Sequence, residues 1–398
     1  MSRKRNFELP LFNNLNKDQL KAIHLPKDGT HLIIGGPGTG KSVAALLRVR
    51  EHHTQDKNKD YCFLVYNYLL HEASQQLLGG ELESARWIIW VKKLFLEISN
   101  RPVKLIDGKP WDIDWKDIED WINGQETLPK PSVTRLVIDE GQDMPPEFYN
   151  TLINLGITDF YVVADQNQQI TEENSSRKEL EDALVIDPEK VIELKINYRN
   201  TYPIARLARE FYTGDPASPP PELPINGGTV NTPKLVEYGK TSGFDLQKAL
   251  ERILIMSDNN PAKLIGVLTP NNKVRNEYFT LLKQLSQNIS LDNKSRIATY
   301  APSGNSREIE DCSFSEGGIF VINAQSCKGL EFETVFIADI NDFNYWPAIG
   351  DEQKRLFYVM VARAREKVFI LKKEGICKIE EILPKDTSIL ERWPKRQL

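Results

Sequence analysis

His31-Leu32-Ile33-Ile34, followed at once by Gly35-Gly36-Pro37-Gly38-Thr39-Gly40-Lys41-Ser42 and then by the helix-forming run Val43–Val49, decides how the rest of the chain is read. The first four residues suit a short strand buried on both faces. The next eight fit GxxxxGK[ST], a turn whose glycines let backbone N–H groups converge on phosphate oxygens at a helix N-terminus. Gly35, Gly36, Pro37, Gly38, Thr39 and Gly40 are thus candidates for a nucleotide cradle. Lys41 can reach β- and γ-phosphates, and Ser42 can ligate Mg²⁺.

Such a cradle needs an acidic strand end nearby, and Leu136-Val137-Ile138-Asp139-Glu140 supplies one. Asp139 is the candidate metal ligand and Glu140 the candidate base for an attacking water. Further apolar runs at Tyr61–Tyr66 and Asp159–Val163 read as strands of the first half. Those of the second half are Val191–Leu194, Lys263–Leu268, Gly318–Ile322, Thr334–Ala338 and Lys367–Leu371. Helical segments lie between them, so the expected fold class is α/β with parallel sheets.

Composition narrows the function classes. Charged residues at 27% and hydrophobic ones at 40% of 398 residues suit a folded protein of about two domains. No apolar run nears the roughly 20 residues of a membrane helix, and the basic start, Met1–Arg5, lacks the apolar core of a secretory signal. Cys62, Cys312, Cys327 and Cys377 are scattered and every histidine falls before residue 72, which argues against zinc or disulfides and for a reduced cytoplasm. A net charge of −5 leaves room only for a locally basic nucleic-acid groove.

Two stretches break the alternation. In Arg101–Pro131, Trp115, Ile118, Trp121 and Ile122 share one helix face beside Trp111 and several acids, which favours a small self-packed helical insertion over a base-stacking platform. Thr213–Thr232 contains Pro216, Pro219, Pro220, Pro221 and Pro224, then Gly227 and Gly228, and reads as an extended loop.

Asp139-Glu140-Gly141-Gln142-Asp143 resembles motif II of UvrD/Rep-type superfamily 1 helicases, and further motifs follow the family order. Leu15–Ile23 resembles the Q-motif, which implies that Gln19 reads the adenine edge. Ala164–Ile170 resembles motif III, with Gln168 sensing the γ-phosphate. Asn197-Tyr198-Arg199-Asn200 resembles motif IV, with Tyr198 stacking on adenine and Arg199 touching the γ-phosphate. Cys327–Phe332 resembles motif V, with Glu331 near the ribose. Arg355–Ala364 resembles motif VI, with Arg363 as an arginine finger.

The resemblance implies two RecA-like lobes, 1–180 and 181–398, with a reduced insertion at about 80–131. ATP and Mg²⁺ are the implied cofactors, and single-stranded nucleic acid, DNA before RNA, the implied partner. The chain looks like a compact form without the family's large accessory insertions, acting as a monomer or in a hetero-complex. Its strand-contact positions depart from the family: Tyr66, Asn67 and Tyr68 stand at motif Ia, and Gln325 and Ser326 at motif V, while Thr171-Glu172-Glu173-Asn174 offers no aromatic residue. The expected activity is a 3′→5′ translocase or helicase that unwinds weakly alone. The alternative is an ATPase switch gating a partner such as a nuclease.

Overall fold

The computed structural model describes residues 3–55, 60–80, 84–109, 112–168, 174–214, 219–225, 231–301, 308–310, 313–343 and 350–394. Trp111, Gln169 to Glu173, Pro216, Gly227, Gly228 and Cys312 lie outside them. The chain forms two compact bodies, one from Leu9 to Lys195, the other from Ile196 onward together with the segment ending at Glu8.

The first body is a six-stranded sheet. Its strands are β1 (His31–Gly35), β2 (Tyr61–Val65), β3 (Ser84–Arg86), β4 (Arg135–Ile138), β5 (Asp159–Ala164) and β6 (Ile192–Leu194). They lie in the order β3-β2-β4-β5-β1-β6, every pair parallel. Leu32, Ile34, Leu64, Ile138 and Val162 point to one core, and Ile33, Phe63, Val65, Val137 and Val163 to the other. Strand side chains alternate between faces, so two apolar faces require cover on both sides. Helices α1 (Lys17–Ile23), α2 (Lys41–Gln55), α3 (Tyr68–Leu78), α4 (Trp87–Ser99), α5 (Trp115–Asn123), α6 (Pro146–Asn154) and α7 (Arg177–Ala183) provide it.

The tryptophan face of α5 is core. Trp115 stacks on Trp87 at 6.4 Å, and Trp121 meets Phe95 edge-on at 5.3 Å. Part of the expected insertion belongs to the lobe itself, because β3 pairs with β2 and α4 packs into the main core.

The passage between bodies differs from the expected 180/181. Helix α7 runs across that point, and Ile192–Leu194, expected in the second half, pairs with β1 instead. Arg177 ties α7 to β6 by donating from Nη1 to Glu193 Oε1 at 2.8 Å. The first body therefore ends at Lys195.

The second body is an eight-stranded sheet of β7 (Lys234–Tyr238), β8 (Leu264–Thr269), β9 (Ile297–Ala301), β10 (Glu308–Glu310), β11 (Gly318–Asn323), β12 (Phe332–Ile337), β13 (Ala364–Lys373) and β14 (Glu391–Trp393). Its order is β10-β9-β11-β8-β12-β13-β7-β14, parallel throughout except for the edge strand β10. Helices α8 (Tyr202–Glu210), α9 (Leu246–Asn259), α10 (Asn272–Asn288) and α11 (Asp351–Ala362) belong to it. The N-terminal segment joins this body through Arg5, whose guanidinium meets Glu333 and the Glu331 carbonyl. Two parallel-sheet α/β bodies are what a pair of RecA-like lobes requires. Among the described residues no helix is long and apolar enough to cross a membrane.

Candidate nucleotide site

Loops after parallel strands meet at the strands' carboxyl ends, the usual place for a ligand crevice in such sheets. In the first lobe β1 leads into Gly36–Gly40, β4 into Asp139 and β5 into Asp165. Because β5 lies between β4 and β1, these three ends are neighbours. The sequence-predicted residues Gly35 to Ser42, Asp139, Glu140, Gln168 and Gln19 gather there.

The loop is shaped by contacts that exclude side chains. Gly40 has φ of +92°, and a Cβ there would lie 2.3 Å from Gln19 Nε2. A Cβ at Gly35 would meet Thr39 Oγ1 at 2.6 Å and the Leu194 carbonyl at 2.9 Å. Gln19 holds the loop directly, donating from Nε2 to the Thr39 carbonyl at 2.9 Å. Its other amide end caps α1, accepting from the Asn16 N–H at 3.0 Å. The amide expected to read adenine is thus engaged by the loop and its own helix.

Lys41 is buried and donates to the Gly36 carbonyl at 2.9 Å, with Asp165 Oδ2 at 3.4 Å. Gln168 Nε2 donates to the same Asp165 oxygen at 2.5 Å. Gln142 completes the array: its Oε1 accepts from the Asp165 N–H at 2.9 Å and its Nε2 donates to Glu140 Oε2 at 2.7 Å. A hydrogen-bonded chain thereby links Glu140 to Lys41 and Gln168 through Gln142 and Asp165. The motifs assign no role to Gln142 or Asp165, although Asp165, a carboxylate directly after an apolar strand, carries the same local signal as Asp139.

Glu140 sits in the left-handed region at φ of 56°, a conformation that costs a non-glycine residue roughly 1–2 kcal/mol and clusters at functional sites. Asp139 Oδ1 accepts from the Glu140 N–H at 2.9 Å, whereas its buried Oδ2 has no hydrogen-bond partner among the described residues. Burial, then the neighbouring Glu140 charge, pushes the Asp139 carboxyl well above the usual carboxylate range; the Ser42 hydroxyl and Lys41 oppose that shift. A carboxyl hydrogen-bonded by the Ser42 hydroxyl and left with one oxygen free of partners among the described residues fits Mg²⁺, a hard cation that takes one or two protein oxygens and draws the rest from water and phosphate. No cluster of three His, Cys, Asp or Glu forms a protein-only metal cage among the described residues.

The second lobe gathers Tyr198, Arg199, Glu331 and Arg363. Tyr198 is 52% exposed. Arg199 Nε donates to Glu331 Oε1 at 2.8 Å. Burial raises the Glu331 pKa, but the charges of Arg199, Arg365 and Arg5 outweigh it and leave the carboxyl below its ordinary value. Arg363 is buried at the end of α11, with Nε donating to the Val359 carbonyl at 3.2 Å.

The expected strand contacts fall at loop ends of their own lobes. Tyr66 and Asn67 between β2 and α3, and Tyr68 at the start of α3, are half-buried, and Asn67 Oδ1 caps α3 by accepting from the Leu70 N–H at 2.8 Å. Gln325 is exposed, and the Ser326 N–H donates to Asn323 Oδ1 at 2.9 Å. Asn272, at the start of α10, accepts from Asn323 Nδ2 at 2.8 Å, a neighbour that the sequence reading did not single out.

No curated protein matches the chain. Among solved structures, it is similar to one described as the C-terminal domain of a possible DNA helicase from Lactobacillus plantarum WCFS1. That likeness has 15% identity and a TM-score of 0.33, over 49% of this chain and 98% of the other. Residues 318–371, from β11 through α11 into β13, match the model of the UvrD-like helicase C-terminal domain.

Proposed function

We propose that this chain is an ATP-hydrolysing motor that moves along single-stranded nucleic acid, DNA by preference and in the 3′→5′ direction, and that it separates duplexes weakly alone. The observation that carries the reading is the buried Asp139 Oδ2, without a hydrogen-bond partner among the described residues, on a carboxyl that the Ser42 hydroxyl hydrogen-bonds, at the same strand ends as the glycine loop and Lys41. In this reading Gly35 to Gly40 cradle the phosphates, Lys41 exchanges the Gly36 carbonyl for phosphate oxygens, and Asp139 with Ser42 holds Mg²⁺. The bound cation offsets negative charge on the phosphates. Glu140 takes the proton of the attacking water, oriented by Gln142, while Gln168 reports the γ-phosphate to the same chain of bonds. Tyr198, exposed, stacks on adenine, and Gln19 keeps the phosphate loop in shape. Arg199 and Arg363 stabilise charge on the transferred phosphoryl group and Glu331 meets the ribose.

Strand grip is assigned to Tyr66, Asn67, Tyr68, Gln325 and Ser326. Asn67 spends its side-chain oxygen on a helix cap, and the net charge is −5. Both facts favour a motor that dissociates often, and they also support the second reading, an ATPase switch gating a partner such as a nuclease. The test is ATPase measured with single-stranded DNA, with RNA and without either, across salt, beside unwinding of fluorescent duplexes tailed at either end. The motor reading expects DNA stimulation that falls as salt rises and is reduced by Tyr66→Ala or Tyr68→Ala. Absence of stimulation by either nucleic acid would hand the case to the switch, and processive unwinding of a long duplex would contradict the weak grip.

A further inference from the structure

The last turn of a helix leaves carbonyls without partners, and a helix that ends without a glycine must find donors elsewhere. Helix α11 ends at Ala362, with Arg363 as its cap in a right-handed conformation. The donors come from Asn200. Its Nδ2 bonds the Ala362 carbonyl at 3.1 Å and also the Ala364 carbonyl, the two that flank Arg363. Between them the Arg363 carbonyl accepts from the Phe332 N–H at 3.0 Å, and the next carbonyl, of Arg365, accepts from the Thr201 N–H at 3.2 Å.

The other end of the Asn200 amide is also fixed. Asn197 Nδ2 donates to Asn200 Oδ1 at 2.8 Å, and Asn197 Oδ1 accepts from the N–H groups of Arg199 at 3.0 Å and Asn200 at 3.1 Å. Asn197 and Asn200 are both buried. Two carbonyls on one side and a donor on the other leave a single orientation for the Asn200 amide, and all three of its hydrogen bonds are to protein. One side chain therefore fixes the backbone that carries Arg199 to the backbone that carries Arg363.

We propose that Asn200 is a positioning residue for ATP hydrolysis: it locks the Arg199 and Arg363 segments into one unit, so that the two guanidiniums are presented at a fixed spacing. The role rests on the reading of Arg199 and Arg363 given above. A carboxylate of the same size cannot substitute, because it has no N–H to give and would set negative charge against two carbonyls.

The experiment uses the full chain, as wild type, Asn200→Ala, Asn200→Asp, Arg363→Ala and the Asn200→Ala/Arg363→Ala double variant. Two readouts separate the clamp from its purpose. Hydrogen exchange by mass spectrometry should show peptides over 197–201 and 360–366 losing protection together in Asn200→Ala while the rest of the lobe holds. Deprotection of only one of them would show that Asn200 does not join the segments. Steady-state ATPase of Asn200→Ala should lose on the order of 10- to 100-fold in kcat with KM nearly constant, as expected when groups act as a unit on the transition state. Asn200→Asp should lose at least as much. In the Arg363→Ala background the Asn200 effect should shrink to about twofold or less, because residues acting through one another are not additive. Additive losses, or a loss that only tracks the unfolded fraction, would overturn the positioning role. If Arg363→Ala turns over like wild type, the assignment of Arg363 falls and the catalytic purpose of the clamp with it, whatever the exchange data show.

Discussion

Arg199 and Glu331, 132 positions apart, are ion-paired within the second lobe, the guanidinium Nε donating to Glu331 Oε1 at 2.8 Å. The family resemblance gives them separate tasks, one at the γ-phosphate and one at the ribose. In the structure they hold each other. The Glu331 side chain is 35% exposed, so solvent screens the pair and its contribution to stability is small, about 0–1 kcal/mol.

Arg199→Ala should accordingly cost little in folding and a great deal in turnover. The pair depresses the folded pKa of Glu331, so the stability it adds is present above the ordinary carboxylate pKa, about 4.3, and disappears as pH falls through the depressed value. Thermal unfolding of Arg199→Ala should therefore lie slightly below wild type at neutral pH and converge with it in acid. Its kcat should drop on the order of 10³-fold, as for a lost arginine finger. A loss of several kcal/mol with turnover unchanged would make the pair purely structural.

Arg5 makes the opposite case. Its guanidinium is buried and donates twice to Glu333 Oε1, at 2.9 and 3.0 Å, and to the carbonyls of Glu331 at 3.0 Å and Phe314 at 3.4 Å. Glu333 Oε2 meanwhile accepts from the Leu264 N–H at 2.8 Å. Removing one member of a buried pair costs about 3–5 kcal/mol, and here the Leu264 N–H and Arg365, whose Nη1 lies 4.0 Å from Glu333 Oε1, compensate only part of it. Urea unfolding of Arg5→Ala should show a second lobe destabilised by that order. A change below about 1 kcal/mol would mean that water reaches Glu333 and the N-terminal segment is not part of the core.

Much of this was legible in the sequence, and the rest was hidden for identifiable reasons. Strands such as Ile33, Val137 and Val163 announce themselves because burial on both faces demands unbroken apolar runs. Ser84–Arg86 and Glu391–Trp393 escaped because an edge or near-edge strand of three residues carries no such run. Ile192–Leu194 was visible as a strand, but its partner β1 lies about 160 residues earlier, and only pairing assigns it to the first sheet. At the site, the roles proposed for Lys41, Asp139 and Glu140 follow from residue types at fixed local spacings, the pattern that phosphate and metal chemistry imposes. Gln142 between Glu140 and Asp165, Glu331 on Arg199 and Asn200 on the carbonyls around Arg363 are contacts made across the fold, which no local spacing encodes.

The proposed function has the first lobe hydrolysing ATP with Lys41 on the phosphates and Glu140 as the base. The most direct measurement is ATP affinity beside steady-state turnover for wild type, Lys41→Ala and Glu140→Gln. Lys41→Ala should lose both affinity and turnover, because the main fixed cation near the phosphates is gone. Glu140→Gln should bind ATP and Mg²⁺ about as well as wild type yet turn over on the order of 10²- to 10⁴-fold more slowly, since Asp139 and Ser42 remain while the proton acceptor is lost. Near-normal turnover in Glu140→Gln, or ATP binding unaffected by loss of Lys41, would contradict the account.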